Sequence, residues 1–224
     1  MNNSVIFFGR ENCYYSNKIL NLLKKKFKNV YYFKSKTYGE KFNFKKIKNI
    51  DYIFCFRSLY ILKKELLEKV NKFSVNFHPG TTRYRGIGCL NFALYENSKN
   101  YGSTAHIINQ KIDNGKILDV KTFKINKNDN VEKLLKKTHK AMFNQAKKII
   151  KKISHNDDYI NLLLKKKNHH IWSKKIYKRK TLNKMRIINK NISTKELERR
   201  IRAFSFKNFK LLIKINNRIF SLND

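Results

Sequence analysis

The residues F-S-V-N-F-H-P-G, 73–80, form an apolar run that passes straight into a proline turn. Such a run reads as a buried strand that delivers Asn76 and His78 to its carboxyl end. Three further strands are predicted upstream, at 4–8, 30–33 and 51–56, the last reading D-Y-I-F-C-F. Between them, Ile19, Leu20, Leu22 and Leu23 predict a helix to about residue 26, and Leu62, Leu66, Leu67 and Val70 predict another over 59–70. Residues 34–48 are polar and are expected to form a loop with a turn or more of helix. Strands alternating with helices predict an α/β fold, a Rossmann-like doubly wound and mostly parallel sheet. In such sheets ligands lie at the carboxyl ends of the strands, where Asn76 and His78 sit.

Downstream, residues 88–95 read as a helix and 103–108 and 116–125 as strands, joined by the turn Asp113-Asn114-Gly115. Asp129 and Glu132 have capping-box spacing and open a helix to about residue 153. The expected organisation is a catalytic domain over 1–155, a polar linker wrapping it over 156–190 that is irregular over 155–180 apart from 159–164, and a small helix-plus-hairpin module over 191–224. In that module Ser193 and Glu196 make a second capping box, and Leu197, Ile201 and Phe204 form a helix stripe. The hairpin is placed at 209–215 and 218–222. Trp172, the only tryptophan, is expected to anchor the linker to the core.

The 224 residues are 41% hydrophobic with 17 Phe and 12 Tyr, enough for a real core despite 30% charged residues. The net charge of +37 suits a phosphate-rich or carboxylate-rich partner, or reflects compositional drift toward Lys. The Lys are spread through the whole chain, which favours drift; the Arg cluster, at Arg83 and Arg85 and at Arg199, Arg200 and Arg202. Three isolated cysteines suggest a reducing compartment and no metal site. The first residues read as a strand and not as a leader, and no apolar run approaches the roughly 20 residues that span a bilayer. The expectation is a cytoplasmic protein with no membrane partner.

Residues 74–115 hold the only proline, Pro79, and five of the seven glycines. In a chain this poor in both, they mark turns and close approaches that backbone geometry demands. Asn76 and His78, two apart on a strand, point to one face, and Asp113 comes from a separate turn. No Ser or Cys lies in a nucleophile elbow or at a position paired with a His, so if the site is catalytic the nucleophile is expected to come from the substrate. Acyl transfer to an amine fits: His78 relays a proton or, as imidazolium, stabilises an oxyanion, Asn76 donates its amide to that oxyanion, and Asp113 orients the His.

S-V-N-F-H-P-G-T-T-R-Y-R-G-I-G, followed by Y-G-S-T-A-H-I-I-N-Q-K-I-D-N-G, resembles the 10-formyltetrahydrofolate-dependent formyltransferase family over residues 1–155. The resemblance implies Asn76, His78 and Asp113 as catalytic residues. It implies that the folate is held by Leu59, Tyr60, Ile61 and Leu62, mostly through backbone groups, together with Asn76, Gln110, Ile112 and Asp113. The chain is too short for the large C-terminal domain of methionyl-tRNA formyltransferases, and its tail is similar to that of bacterial nucleotide-sugar N-formyltransferases. By that resemblance the acceptor is the amine of a deoxyamino sugar on dTDP, UDP or GDP, used for surface polysaccharide. Arg10, Thr81, Arg83 and Arg85 are the candidates for holding it, because guanidinium forks suit phosphate oxygens. The loop after Pro79 lacks the family's second proline and is one residue shorter. A homodimer without nucleic acid is implied. The alternatives are a methionyl-tRNA or small-amine formyltransferase, favoured by the charge, and a non-catalytic basic nucleic-acid binder.

Overall fold

The computed structural model describes residues 3–44, 47–167, 169–207, 209–216 and 218–221. Its centre is a six-stranded sheet of β1 (Ser4–Arg10), β2 (Asn29–Ser35), β3 (Ile50–Phe56), β4 (Val70–His78), β6 (Asn100–Ile107) and β7 (Ile117–Lys124), in the order β2-β1-β3-β4-β6-β7. The first four strands are parallel; β4–β6 and β6–β7 are antiparallel. The mostly parallel α/β fold is the expected one.

Side chains alternate between the two faces of the sheet, and each face has its own cover. Val5, Phe7, Tyr52, Phe54, Phe56, Val75 and Phe77 pack under α1 (Tyr14–Lys26), α4 (Val131–Ile153) and α5 (Tyr159–Lys165). Ile6, Phe8, Ile53 and Cys55 face the other way, under Phe33, Phe42, Phe44, Tyr60 and Leu62. Loops provide most of that second cover. No helical turn is seen among the described residues of 34–48. The helix expected over 59–70 shrinks to α2 (Lys64–Leu67), because Tyr60 and Leu62 are drawn into the aromatic cluster and Val70 already belongs to β4. The helix-like spacing there serves loop packing.

Two helix starts are expected from capping patterns, and one is shifted. The cap of α4 is Asn130, which accepts from the Lys133 N–H at 3.0 Å. Asp129 instead accepts from Asn126 N–H at 2.8 Å and pairs with Lys137. Ser193 caps α7 (Thr194–Phe204) as expected. Gly88, at φ +75°, precedes α3 (Cys89–Tyr95) in a left-handed conformation natural to glycine.

The segment after residue 155, expected to be irregular outside 159–164, is built from regular elements beyond that stretch as well. It carries α5, β8 (Ile176–Tyr177), α6 (Arg179–Arg186) and β9 (Ile187–Asn189). β8 pairs with β5 (Arg85–Gly86), and β9 joins the hairpin of β10 (Leu212–Ile215) and β11 (Arg218–Ser221) as a third strand. Asn217 and Leu222, assigned to that hairpin from sequence, lie outside the described residues. A second core links these pieces to the domain: Tyr84, Phe92, Tyr101, Tyr177, Leu182 and Phe204 are all buried in it. Ile201, placed on the α7 stripe, is exposed instead. The late arginines are staples. Arg199 donates to Tyr95 O, Arg200 to Glu196 and Ile187 O, and Arg202 to Asp129 O.

At Gly102 on β6 an added Cβ would fall inside the Lys121 carbonyl group of β7, so the two backbones leave no room for a side chain. Gly39 has φ +78° but open space around it. Gly102→Ala is therefore expected to destabilise the fold by about 3 kcal/mol. Gly39→Ala should cost about 1 kcal/mol, the price of left-handed backbone alone. Urea denaturation of the two variants checks the order; equal losses would contradict it.

Candidate active site

β4 meets β6 where the sheet changes from parallel to antiparallel pairing, and the register sets Asn76 opposite His106 and His78 opposite Thr104. The Asn76 amide nitrogen lies 3.1 Å from His106 Nε2. His106 Nδ1 lies 2.8 Å from Ile107 O, so both ring nitrogens are held by neighbours. A register shift between Ala105 and His106 re-aims this side chain at the rim of the sheet.

Asp113 enters from the 108–115 turn with φ +42°, a conformation that Asp tolerates better than most residues. Its Oδ1 lies 3.3 Å from His78 Nδ1 and 3.6 Å from His106 Nε2, and its Oδ2 accepts the Gly86 N–H at 2.9 Å. His78 is 3% exposed. Its Nε2 lies 2.7 Å from Tyr84 O, so with Asp113 on Nδ1 both ring nitrogens face acceptors and the ring is an imidazolium. Burial disfavours that charge, but the Asp113 carboxylate outweighs burial and holds the His78 pKa well above its ordinary value. Burial likewise opposes the Asp113 charge, and His78 and His106 outweigh it, so the carboxyl group stays well below its ordinary range.

The loop around this pair is fixed by hydrogen bonds from β6: Tyr101 OH donates to Pro79 O at 2.6 Å and Thr104 Oγ1 to Gly80 O at 2.8 Å. A Cβ on Gly80 would lie 2.6 Å from His78 Nε2, so glycine is what lets the ring reach Tyr84 O. Trp172 forms a wall that sequence reasoning missed. Its ring stands edge-on to His106 at 5.1 Å and to His78 at 5.8 Å, and its Nε1–H donates to Gly115 O at 2.8 Å. Sequence gave it only as a packing anchor, since nothing local tied it to the histidines.

The other expected site residues are spread along the same end of the sheet. Leu59 N–H donates to Ser35 Oγ, and Tyr60 OH to Lys34 O while its ring packs on Phe42. Leu62 packs beneath the sheet; Ile61 and Ile112 are exposed. Gln110 helps line a groove of about 460 Å³ with Lys64, Leu67, Ile108 and Lys111. Arg85 is 6% exposed and bridges Ser173 O and Ile112 O at 2.8 Å each, so it clamps the strap carrying Trp172 onto the Asp113 turn. Arg83 is exposed and pairs with Glu96; Thr81 O accepts from Tyr84 N–H. Arg10 stands apart from these, at the end of β1 beside Arg57 and Cys13. Among the described residues, no three His, Cys, Asp or Glu are grouped to hold a metal, and no helix is long and apolar enough to cross a membrane.

Comparison with known proteins meets this geometry. The family model described as Formyl transferase matches residues 17–153. A methionyl-tRNA formyltransferase from Buchnera aphidicola is 30% identical over 148 residues, which cover 65% of this chain and 44% of that enzyme. The chain thus spans less than half of that relative. A sugar N-formyltransferase from a Shewanella species superposes with a TM-score of 0.72 at 16% identity, covering 98% of this chain and 96% of that one. An N-formyltransferase from Helicobacter canadensis, in complex with folinic acid and dTDP-3-aminofucose, gives 0.70 at 24% identity, covering 96% and 85%. At these identities the structural likeness is one of fold.

The buried pair makes stability depend on pH in a definite direction. His78, with its pKa raised, contributes fully below its unfolded value of 6.5 and loses that contribution as pH rises through the folded value. Asp113, with its pKa lowered, contributes above 3.8 and loses it as pH falls through the folded value. The stability gap between wild type and Asp113→Asn should therefore be widest between those two values and narrow on either side, as read by urea denaturation across pH. A gap that does not change with pH would contradict the ion pair.

Proposed function

The chain belongs to the formyl transferase family, and on that premise we propose that it transfers a formyl group from 10-formyltetrahydrofolate to the amine of a nucleotide-linked deoxyamino sugar. The observation that carries the reading is the buried His78–Asp113 pair beside the Asn76–His106 pair, at the carboxyl end of the sheet; the buried Cys89 thiol beside His78 donates to Gly86 O and is not taken as the nucleophile. The substrate amine supplies that nucleophile. Its nitrogen bonds the formyl carbon, the bond from that carbon to the folate nitrogen breaks, and one proton moves from amine to folate nitrogen. Asn76 turns its amide N–H from His106 toward the developing oxyanion. His78 places its positive charge beside it, and Asp113 keeps that charge in place. His106 offers Nε2 to the amine proton once Asn76 has turned away.

The folate would lie against residues 59–62 and 110–113. The backbone N–H and C=O of Ile61 and Leu62 make no hydrogen bond within the described chain, so they are available to the edge of a pterin. The exposed Ile61 and Ile112 offer it apolar surface. No metal is called for. The sugar acceptor is favoured by the likeness of fold to sugar N-formyltransferases over almost the whole length of both chains. The second reading, methionyl-tRNA as acceptor, is favoured by the 30% identity to such an enzyme and by the +37 charge. We take the product to serve surface polysaccharide and the enzyme to act in the cytoplasm. A homodimer would meet through the exposed Ile215, Ile219 and Phe220 of the hairpin.

Purified protein supplied with 10-formyltetrahydrofolate and a panel of dTDP-, UDP- and GDP-amino sugars should form a formamido sugar. His78→Ala and Asn76→Ala should each lower turnover roughly a hundred- to ten-thousandfold. Turnover of charged methionyl-tRNA that falls steeply with salt, with none on any sugar, would move the assignment to the second reading.

A further inference from the structure

The Asp113 turn is held at both ends by side chains from elsewhere in the chain. On one side Arg85 Nη2 donates to Ile112 O at 2.8 Å, and on the other Trp172 Nε1–H donates to Gly115 O at 2.8 Å. The two holders also hold each other. Arg85 Nη1 donates to Ser173 O at 2.8 Å, and its guanidinium lies over the Trp172 ring, 5.9 Å from the ring centre. The strap that carries Trp172 is anchored beside them, with Ser173 N–H donating to Thr82 O and Ile87 N–H to Tyr177 O at 2.9 Å each. Trp172 lies beyond the residues 17–153 that the family model matches. Arginine is a costly residue with which to fasten two loops. Arg85 is 6% exposed, and its Nε is buried without a hydrogen-bond partner among the described residues. An apolar side chain would fill the space at less cost if docking were all that was required. What arginine adds is a planar fork, whose two fixed donors set Ile112 O and Ser173 O relative to each other.

We propose that Arg85 and Trp172 are positioning residues of the formyl transfer, which together hold the Asp113 turn so that its carboxylate stays between His78 and His106. The reading rests on the formyl-transfer assignment for the reaction served, and on contacts alone for the positioning. The turn needs such holding, because Asp113 has φ +42° and its carboxylate faces two imidazoles at once. Its Oδ1 is 3.3 Å from His78 Nδ1 and 3.6 Å from His106 Nε2, so a turn that relaxes by about 1 Å loses both. Trp172 adds a wall: its ring centre is 5.8 Å from that of His78 and 5.1 Å from that of His106, which limits the swing of either ring. Neither residue has to touch the substrate for this role. Arg85, a candidate from sequence for holding the acceptor, has both Nη groups on backbone carbonyls and acts on Asp113 instead. A strap that reads as a linker in the sequence thereby becomes part of the machinery.

Magnetic resonance of the histidine rings and steady-state kinetics of the purified full chain test this. Trp172→Phe keeps a ring and removes the donor to Gly115 O, and Arg85→Lys keeps the charge and removes the fork. Urea denaturation shows that a variant is folded, and either variant suffices for the test. Burial pulls the His78 pKa down and the Asp113 carboxylate more than offsets this, so moving the carboxylate away should lower it by roughly one pH unit. Cys89 and His106, the other titratable groups beside the pair, are left in place. Turnover with whichever dTDP-, UDP- or GDP-amino sugar the wild type formylates should fall roughly ten- to a hundredfold, with KM for the sugar changed less than about threefold. In an Asp113→Asn background the same substitutions should change turnover less than about twofold, since the charge they position is gone. A His78 pKa that does not move, or turnover losses as large in the Asp113→Asn background, overturns the positioning role. A loss confined to the sugar's KM also overturns it and makes the two residues substrate contacts. The expected fall of the His78 pKa in a chain that formylates none of the sugars would overturn the sugar reading and leave the positioning of Asp113 standing.

Discussion

An imidazolium and a carboxylate, both almost out of reach of water, face each other 3.3 Å apart at the end of the fourth strand. Either charge alone in that position would be heavily penalised, and each exists because the other does. Much of the surrounding structure serves to keep the pair together. Gly86 N–H holds the second carboxylate oxygen, Gly80 clears the space for the His78 ring, and Tyr101 and Thr104 fix the loop between them. In the proposed acyl transfer this would give a cation already in position before any substrate arrives, with no reorganisation left for the reaction step.

The latter part of the chain is as much a part of this site as the strands are. The strap that leads to β8 pairs with β5 and lays Trp172 against both histidines. Arg85 ties that strap to the Asp113 turn through two carbonyls. One buried guanidinium therefore couples the position of the tryptophan to that of the Asp113 carboxylate. The clustered arginines of α7 act in a similar way, bonding to backbone oxygens of neighbouring elements. Charge that looked like a binding surface in the sequence is in these cases mortar. The Lys, by contrast, are spread over exposed surface and have no common direction.

What the residue pattern made legible was whatever depends on neighbours in the chain. Strand β4 and its delivery of Asn76 and His78 follow from an apolar run that meets a proline. Asp113 follows from a turn marked by Gly115, and the order of the first four strands from hydrophobic runs separated by helical spacing. Local pattern misled where two structures share one spacing. Leu62, Leu66, Leu67 and Val70 have the period of a helix, yet only Lys64–Leu67 is one, because Leu62 is needed by the aromatic cluster under the sheet. Asp129 looked like a cap, but Asn130 took that role one residue later.

The sequence by itself determined the α/β class and the places of Asn76, His78 and Asp113, because each rests on a pattern within a strand or a turn. Only the tertiary structure decided what surrounds the trio. Trp172 is 94 positions from His78, and Arg85 is 27 from Ile112. No periodicity links such residues. They meet because parallel strands bring their carboxyl ends to one edge and because the core closes the strap and α4 against that edge. The places of Asn76, His78 and Asp113 were therefore legible as sequence, while the walls around them became visible only in the folded chain.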